Sequence, residues 1–220
     1  MGLGIFFFFS LLTVSQKKNP VSPAGVRGET TIEKLASLRP AFVKPHGTIT
    51  AGNASFLTDG ASAVLLMSEE KAKELGYKPL AYLRDYIYVS QDPKDELLLG
   101  PSYATHQLLK RTGLKLSDVG VFEIHEAFAG QVLANQAALD SAKFAQEKLG
   151  TSEKTGALPE DKLNLWGGSL SVGHPFGATG CRLVSTAANR LIHENQQFAL
   201  LTACAAGGQG HAMIVERYPQ

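Results

Sequence analysis

The order of secondary-structure patterns after Pro79 restricts the fold of this chain more than any other feature of its sequence. Runs of β-branched and aromatic residues, typical of strands, alternate with segments that have apolar residues at helical spacing. The predicted strands are residues 80–89, 119–124, 169–172, 198–203 and 212–217, and the predicted helices are residues 101–111, 127–144 and 178–192. Strand–helix–strand units imply parallel pairing with right-handed crossovers, whereas the last two strands, joined by a glycine-rich link, should pair antiparallel. The sequence therefore predicts an α/β fold with a mixed five-stranded sheet covered by helices.

Residues 29–78 carry the patterns of one further strand and helix. An apolar run at residues 63–67 predicts a buried strand, and Ser68 is a good cap for a helix that runs to about Leu75. These elements look like the end of another sheet, so we predict the remnant of one domain here and a complete domain over residues 79–220. The apolar faces of the remnant should be exposed and prone to aggregation.

The first 28 residues do not have the pattern of a folded domain. Phe6 to Phe9 belong to an apolar stretch that is too short to span a bilayer, and neither a secretory nor a mitochondrial signal pattern is present. Phe, Ser and Leu codons can be rich in pyrimidines, as is the acceptor end of an intron, and Gln16 would complete such an end. Residues 1–28 are therefore expected to be unstructured, or an artefact of translating an intron.

Net charge and cysteine content exclude several classes of protein. The chain has 21 Lys and Arg against 20 Asp and Glu, which gives a formal net charge of +1. No global positive field therefore favours nucleic acid or an anionic membrane. Two cysteines, Cys181 and Cys204, cannot build a disulfide framework or a four-ligand zinc site. We expect a reducing compartment, no metal and no nucleic-acid partner.

Reactive side chains occur where predicted strands give way to helices or turns, which is where open α/β sheets hold their sites. His174 lies just before a predicted helix, and Gly173, Pro175 and Gly177 around it let the backbone approach a ligand closely. Because a helix N-terminus disfavours the imidazolium, we expect a neutral ring that can donate one hydrogen bond. The alternative interpretation is a structural histidine in a turn.

Two further junctions carry Cys204 and His125. Cys204 ends a predicted strand before a loop almost free of side chains, so its thiol and the loop N–H groups can meet a carbonyl group. The alternative is a buried cysteine that acts as a small apolar residue, a role that suits Cys181 better. His125 and Glu126 should face opposite sides of a strand, so they are not a metal pair, and Phe128 can line an apolar channel.

Four motifs together resemble the thiolase family. They are, in chain order, GTITAGNAS at 47–55, HEAF at 125–128, GHPFGATG at 173–180 and CAAGGQG at 204–210. The resemblance covers residues 30–218 and implies the thiolase fold, with a truncated N-terminal domain over residues 29–78 and a complete C-terminal domain over residues 79–220. Most thiolases have Asn where this chain has His before Glu-Ala-Phe.

The resemblance implies an acyltransferase that cleaves 3-ketoacyl-CoA with free CoA in mitochondrial fatty-acid β-oxidation. CoA and acyl-CoA would be substrates, and no cofactor would be bound permanently. His174 and Cys204 would be catalytic, as activator of the nucleophile and as proton shuttle, and His125 would support the oxyanion hole. The positions that would bind CoA are Ala51, Ser55 and Phe128. A thiolase-type homodimer and a complex with an α-subunit are implied as assemblies.

One residue that the family requires has no counterpart in this sequence. Thiolases have a nucleophilic cysteine in the N-terminal half, and neither Cys181 nor Cys204 stands in that context. The chain is therefore predicted to be the C-terminal portion of a thiolase and inactive alone. Two other hypotheses stay open. One is a non-catalytic CoA-binding or regulatory half that docks on a partner subunit, and the other is an unrelated hydrolase that acts through Cys204 and His174.

Overall fold

The computed structural model describes residues 4–9 and 28–219. In chain order its strands and helices are β1 (Gly4–Phe9), α1 (Ile32–Ala36), β2 (Ala63–Ser68), α2 (Glu69–Glu74), β3 (Ala81–Ser90), α3 (Gly100–Thr112), β4 (Val121–Ile124), α4 (Ala129–Leu139), α5 (Ala142–Phe144), α6 (Ser169–Val172), α7 (Gly177–His193), β5 (Phe198–Ala205) and β6 (Gln209–Arg217). Short 3-10 turns at Leu116–Asp118 and Glu160–Lys162, and a π-helical turn at Ala145–Leu149, complete the regular structure of these residues.

The strands of the described residues form one mixed sheet in the order β2-β1-β3-β6-β5-β4. β4 and β5 are parallel, with Val121 opposite Ala199, and the other neighbouring pairs are antiparallel. The antiparallel pairing of β5 with β6 places Cys204 opposite Gly210, as expected for two strands that lack a helix between them. The predicted α/β class and mixed sheet are confirmed.

The predicted count of five strands is wrong in two respects. In the part of the chain that the structure describes, the sheet has six strands, because β1 and β2 extend it beyond β3. Residues 169–172, predicted to be extended, form the helical turn α6. The N–H of Val172 donates to the carbonyl oxygen of Gly168 at 2.9 Å, and the N–H of Leu170 donates to the Glu126 carboxylate at 3.0 Å. With these partners the N–H groups of α6 are not available to a neighbouring strand.

Residues 4–9 form the strand β1, whereas residues 1–28 were expected to be unstructured or an artefact. Its backbone pairs antiparallel with β2, from Gly4 opposite Ser68 to Phe9 opposite Ala63, and it continues the sheet towards β3. The rest of that expectation falls on residues 1–3 and 10–27, which lie outside the described residues.

Helices α3 and α7 cover opposite faces of the sheet. Successive residues of a strand face opposite sides, so Leu200 and Leu201 of β5 enter different cores. The core under α3 includes Ala104, Leu108, Phe122, Leu200 and Ile214. The core under α7 includes Leu183, Ala187, Leu191, Leu201 and Val215. The site described below lies at one end of this sandwich.

Residues 29–78 contribute little to either core. Helix α1 has no buried residue, and the side chains of Leu57 and Leu66 are 86% and 54% exposed. The predicted exposure of apolar side chains in this segment is therefore confirmed. The prediction that the strand at residues 63–67 is buried is wrong, because no residue of β2 is buried. The assignment of the segment to a separate domain stays a prediction.

Gly100 and Gly210 bring the start of α3 into direct backbone contact with β6. A Cβ atom on Gly100 would lie 2.5 Å from the Cα of Gly210 and 2.7 Å from the carbonyl oxygen of Gln209. Because backbone cannot move aside as a side-chain end can, we expect Gly100→Ala to lower the free energy of unfolding by about 1–3 kcal/mol. Urea unfolding measures this, with Gly177→Ala as the control, since no atom lies within 4 Å of that Cβ position. Equal stability of the two variants would contradict the prediction.

Candidate active site

One cavity of about 600 Å³ brings together most of the residues that the sequence predicts for the site. It lies where β4, β5 and the N-terminal end of α7 meet, beside the segment that carries Ser55. Its walls include Ser55, His125, Phe128, His174 and Cys204. These residues come from parts of the chain that are up to 149 positions apart in sequence, so their meeting is a product of the fold.

His174 is held by both backbone and side chain. Its N–H donates to the carbonyl oxygen of Phe56 at 3.3 Å, and its Nδ1 lies 2.8 Å from the hydroxyl oxygen of Thr179 in the first turn of α7. Burial, followed by the positive charge of Arg182, lowers the pKa of the His174 ring. The neutral ring expected from the sequence therefore agrees with the direction of this shift, although burial rather than the helix terminus is its main cause.

His125 follows β4 and is almost fully buried. Its backbone N–H donates to the carbonyl oxygen of Thr202, and its Nδ1 lies 2.9 Å from the hydroxyl oxygen of Ser169. The His125 and His174 rings are 4.2 Å apart between centroids. Burial lowers the pKa of His125 to about 4, and the neighbouring His174 and Arg182 act in the same direction. The pKa values of both rings are therefore lowered, which favours neutral imidazoles.

Cys204 lies near the end of β5 with only 8% of its surface exposed. Burial raises the pKa of the Cys204 thiol to about 11, so the sulfur carries its proton at neutral pH. Ala205 and Ala206, which follow it, also line the cavity. A protonated thiol of this kind can deliver a proton to a carbanion or enolate, whereas it is a poor nucleophile until it loses that proton.

The raised pKa of Cys204 predicts slow alkylation. In a Cys181→Ser background, iodoacetamide at pH 8 should modify Cys204 roughly a hundredfold more slowly in the folded chain than in urea, because two pH units separate the two thiol pKa values. The folded-state rate should continue to rise about tenfold per pH unit up to pH 10. Mass spectrometry follows the reaction. A rate that levels off near pH 9 would show that burial leaves the thiol pKa unchanged.

Ser55 and Phe128 line the cavity, but Ala51 does not. The Ser55 N–H donates to the carbonyl oxygen of Ala127 at 2.9 Å, which ties the residue 47–55 segment to the beginning of α4. The rings of Phe128 and Phe42 meet edge to face, 6.3 Å apart between centroids. Ala51 lies in an exposed turn, and its role in CoA binding stays a prediction.

Four residues that support the site were not predicted from the sequence. The Glu126 carboxylate accepts the N–H of Leu170, and the Asn164 side chain both accepts from the N–H and donates to the carbonyl oxygen of Ile124. Ser169 and Thr179 contact the Nδ1 atoms of His125 and His174, whereas Glu126 and Asn164 hold the turn α6 and the end of β4 beside them. The paired glycines before Ser169 were the available signal, because a Cβ on Gly168 would overlap the Glu126 carboxylate.

The described residues contain no group of three or more His, Cys, Asp or Glu side chains arranged to hold a metal ion. None of the helices in the described ranges has the length and apolar character needed to cross a membrane.

The chain belongs to the thiolase family. The model of the thiolase C-terminal domain matches residues 77–217, and that of the thiolase N-terminal domain matches residues 13–70. The structure resembles the crystal structure of human mitochondrial 3-ketoacyl-CoA thiolase in complex with CoA, with a TM-score of 0.78 and 36% identity, covering 90% of this chain and 45% of that one.

Two other relatives are more similar in sequence than the protein of this crystal structure. The mitochondrial trifunctional enzyme subunit beta of Rattus norvegicus is 62% identical over 208 residues, which are 94% of this chain and 42% of that protein. A probable 3-ketoacyl-CoA thiolase of Caenorhabditis elegans is 65% identical over 189 residues, which are 86% of this chain and 42% of that protein. The chain thus spans less than half the length of these relatives.

Proposed function

We propose that this chain provides the CoA-binding and proton-transferring part of a 3-ketoacyl-CoA thiolase, an acetyl-CoA C-acyltransferase of fatty-acid β-oxidation. The observation that supports this most is the meeting of His125, His174 and Cys204 with Ser55 and Phe128 in one cavity. Two neutral imidazoles and a protonated thiol around a space lined by apolar side chains suit the transfer of protons to and from a thioester.

The chemistry assigned to this cavity is the cleavage of the bond between C2 and C3 of a 3-ketoacyl-CoA. By resemblance to the family, a nucleophilic thiolate attacks C3, and bond cleavage leaves an acyl-enzyme and the enolate of acetyl-CoA. Cys204 protonates C2 of that enolate and becomes a thiolate. It then takes the proton of an incoming CoA thiol, whose sulfur attacks the acyl-enzyme and releases a shortened acyl-CoA. His125 and His174 donate hydrogen bonds to the oxygens that gain charge.

The nucleophile is the component that this chain does not supply. Cys204 is the proton carrier in this scheme, and Cys181 lies within α7 and does not line the cavity. The nucleophilic thiol therefore has to come from outside the 220 residues, and we propose that the chain does not turn over substrate alone. CoA and acyl-CoA are substrates in this proposal rather than bound cofactors.

The same relatives suggest where the protein acts and what it assembles with. Trifunctional enzyme subunit beta of several mammals is mitochondrial by name, and the designation beta implies an α-subunit. We therefore propose a mitochondrial location, a thiolase-type homodimer, and association with the α-subunit of a trifunctional enzyme.

Two measurements on the purified chain test the proposal. Calorimetry should detect binding of CoA, and Phe128→Ala should weaken that binding, while Tyr88→Ala on β3 should not, because Tyr88 does not line the cavity. The chain alone should not cleave a long-chain 3-ketoacyl-CoA, whereas co-expression with the segment of rat trifunctional enzyme subunit beta that it does not cover should produce thiolysis. We call this co-expressed assembly the reconstituted enzyme.

The outcomes separate the hypotheses. Binding without activity in the reconstituted enzyme would favour a non-catalytic CoA-binding half. Thiolysis by the chain alone would overturn the view that its nucleophile comes from elsewhere. Failure to bind CoA at all would overturn both the proposed thiolase function and the hypothesis of a non-catalytic CoA-binding half.

A further inference from the structure

A buried chain of three side chains ends at His125. An Nη2 hydrogen of Arg182 is directed at the hydroxyl oxygen of Ser169 over 3.2 Å, and that oxygen lies 2.9 Å from Nδ1 of His125. Ser169 is fully buried, and His125 and Arg182 are 4% and 5% exposed. Water therefore has little access to any of the three, and the Ser169 hydroxyl and Nδ1 of His125 depend on partners within the protein.

We propose that Arg182 and Ser169 are positioning residues that hold His125 in the tautomer with its proton on Nε2. The inference rests on the proposed function, in which His125 donates a hydrogen bond to the reacting thioester or to a water bound beside it. The proposal explains why the cavity-facing nitrogen of His125, Nε2, donates a hydrogen bond instead of accepting one.

The direction of each hydrogen bond follows from the donors available. A guanidinium can only donate, so the Ser169 oxygen is the acceptor of the bond with Arg182. The Ser169 hydroxyl has a single hydrogen to place. If Nδ1 of His125 were protonated, this oxygen would face two donors, and its own hydrogen would be left without a partner in a buried place. With the proton on Nε2, Nδ1 accepts the Ser169 hydrogen, so the Ser169 hydroxyl and Nδ1 of His125 are both paired.

The geometry also explains why the proton faces the substrate. His125 lines the cavity, and Nδ1 is engaged by Ser169, so Nε2 is the ring nitrogen left for a ligand. The Arg182 guanidinium and the His174 imidazole lie near the His125 ring. Both disfavour protonation of the second ring nitrogen of His125. His125 is thus a neutral donor with a defined direction, a role for which a freely rotating histidine would be poorly preorganised.

The tautomer can be measured on this chain without any turnover. In protein labelled with 15N-histidine, long-range proton–nitrogen correlation spectra distinguish a protonated Nε2 from a protonated Nδ1, and His125→Asn identifies the signals by their loss. We expect the wild-type ring to carry its proton on Nε2. Ser169→Ala should produce a mixture of tautomers or the Nδ1 form, whereas Ser169→Thr, which keeps the hydroxyl, should preserve the Nε2 form.

Ser171→Ala is the matched control, because Ser171 lies in the same turn α6 and its hydroxyl bonds to the carbonyl oxygen of Gly168 instead of to a histidine. A protonated Nδ1 in the wild-type chain would overturn the proposal, and so would an unchanged tautomer in Ser169→Ala. If Ser169→Ala does not fold, the wild-type and Ser169→Thr spectra still decide.

The reconstituted enzyme provides a second, independent readout. Ser169→Ala should lower kcat by less than the roughly 10²–10³-fold that removal of a whole oxyanion donor costs, with little change in the KM for CoA. A rise in KM at constant kcat would contradict a role in positioning the donor. If the reconstituted enzyme is inactive, the proposed function fails, while the tautomer measurement still tests the hydrogen-bond assignment.

Discussion

Exchange of Cys204 for alanine is expected to lower the kcat of thiolysis by the reconstituted enzyme by about 10²–10⁴-fold, the usual contribution of a positioned acid or base. Alanine cannot protonate the enolate or take the proton of the incoming CoA thiol. Because the side chain is small and lies on the cavity wall, its loss should leave the affinity for CoA almost unchanged. A continuous assay of 3-ketoacyl-CoA consumption gives kcat, and calorimetry gives the affinity.

Cys181→Ala is the control for this prediction. Cys181 lies in α7, is only partly buried, and does not line the cavity. Its variant should retain wild-type kcat. Equal loss of activity in both variants would indicate damage to α7 or to the sheet instead of loss of a proton carrier, and full activity of Cys204→Ala would remove Cys204 from the mechanism.

Replacement of Arg190 by methionine should destabilise the chain by about 3–5 kcal/mol, the cost of leaving a buried charge without its partner. The Arg190 guanidinium is fully buried and bonds to the carboxylates of Glu123 and Glu194 at 2.7 Å, and to the carbonyl oxygens of Phe122 and Lys162. These contacts use all five of its N–H donors. Urea unfolding at pH 8 measures the loss.

A second variant separates the lost charge pair from lost packing. Burial already raises the pKa of Glu123 to about 7, and without Arg190 the weaker attraction of Arg182 is left to oppose burial, so Glu123 would have to take up a proton or carry a poorly compensated charge at pH 8. Arg190→Met combined with Glu123→Met should therefore recover much of the stability. Arg84→Met, which breaks a surface pair with Glu216, should cost at most about 1 kcal/mol. A similar loss from Arg84→Met and Arg190→Met would refute the argument from burial.

The sequence predicts those parts of the fold that have their cause within one segment. The strands at β3, β5 and β6 were recognisable from β-branched and aromatic residues, and α3 from the proline at its start and the glycine after its end. Residues 169–172 were misassigned because their helical turn depends on the Glu126 carboxylate, which accepts the N–H of Leu170 across 44 positions. No local pattern carries that information.

In the candidate site, too, the residues with a local sequence signal were predictable and the contacts between distant segments were not. His174, Cys204, His125 and Phe128 were identifiable as residues at or beside the ends of secondary structures, and the thiolase motifs added Ala51 and Ser55. The 4.2 Å approach of the two imidazole rings was not predictable, because it requires the bond between His174 and Phe56, which come from distant parts of the chain. Ser169 was overlooked for a related reason, since a serine acquires a role only through the histidine and arginine beside it.

Helix α7 contributes both to the stability of the fold and to the orientation of the two histidines in the candidate site. Its first turns carry Thr179 and Arg182, which orient the histidines, and Arg190 in its last turns fastens it to β4 and to the loop at Lys162. A helix packed along its length moves as a unit. Loss of the anchor on heating should therefore misalign the imidazoles at once, so thermal inactivation and thermal unfolding should follow a single curve.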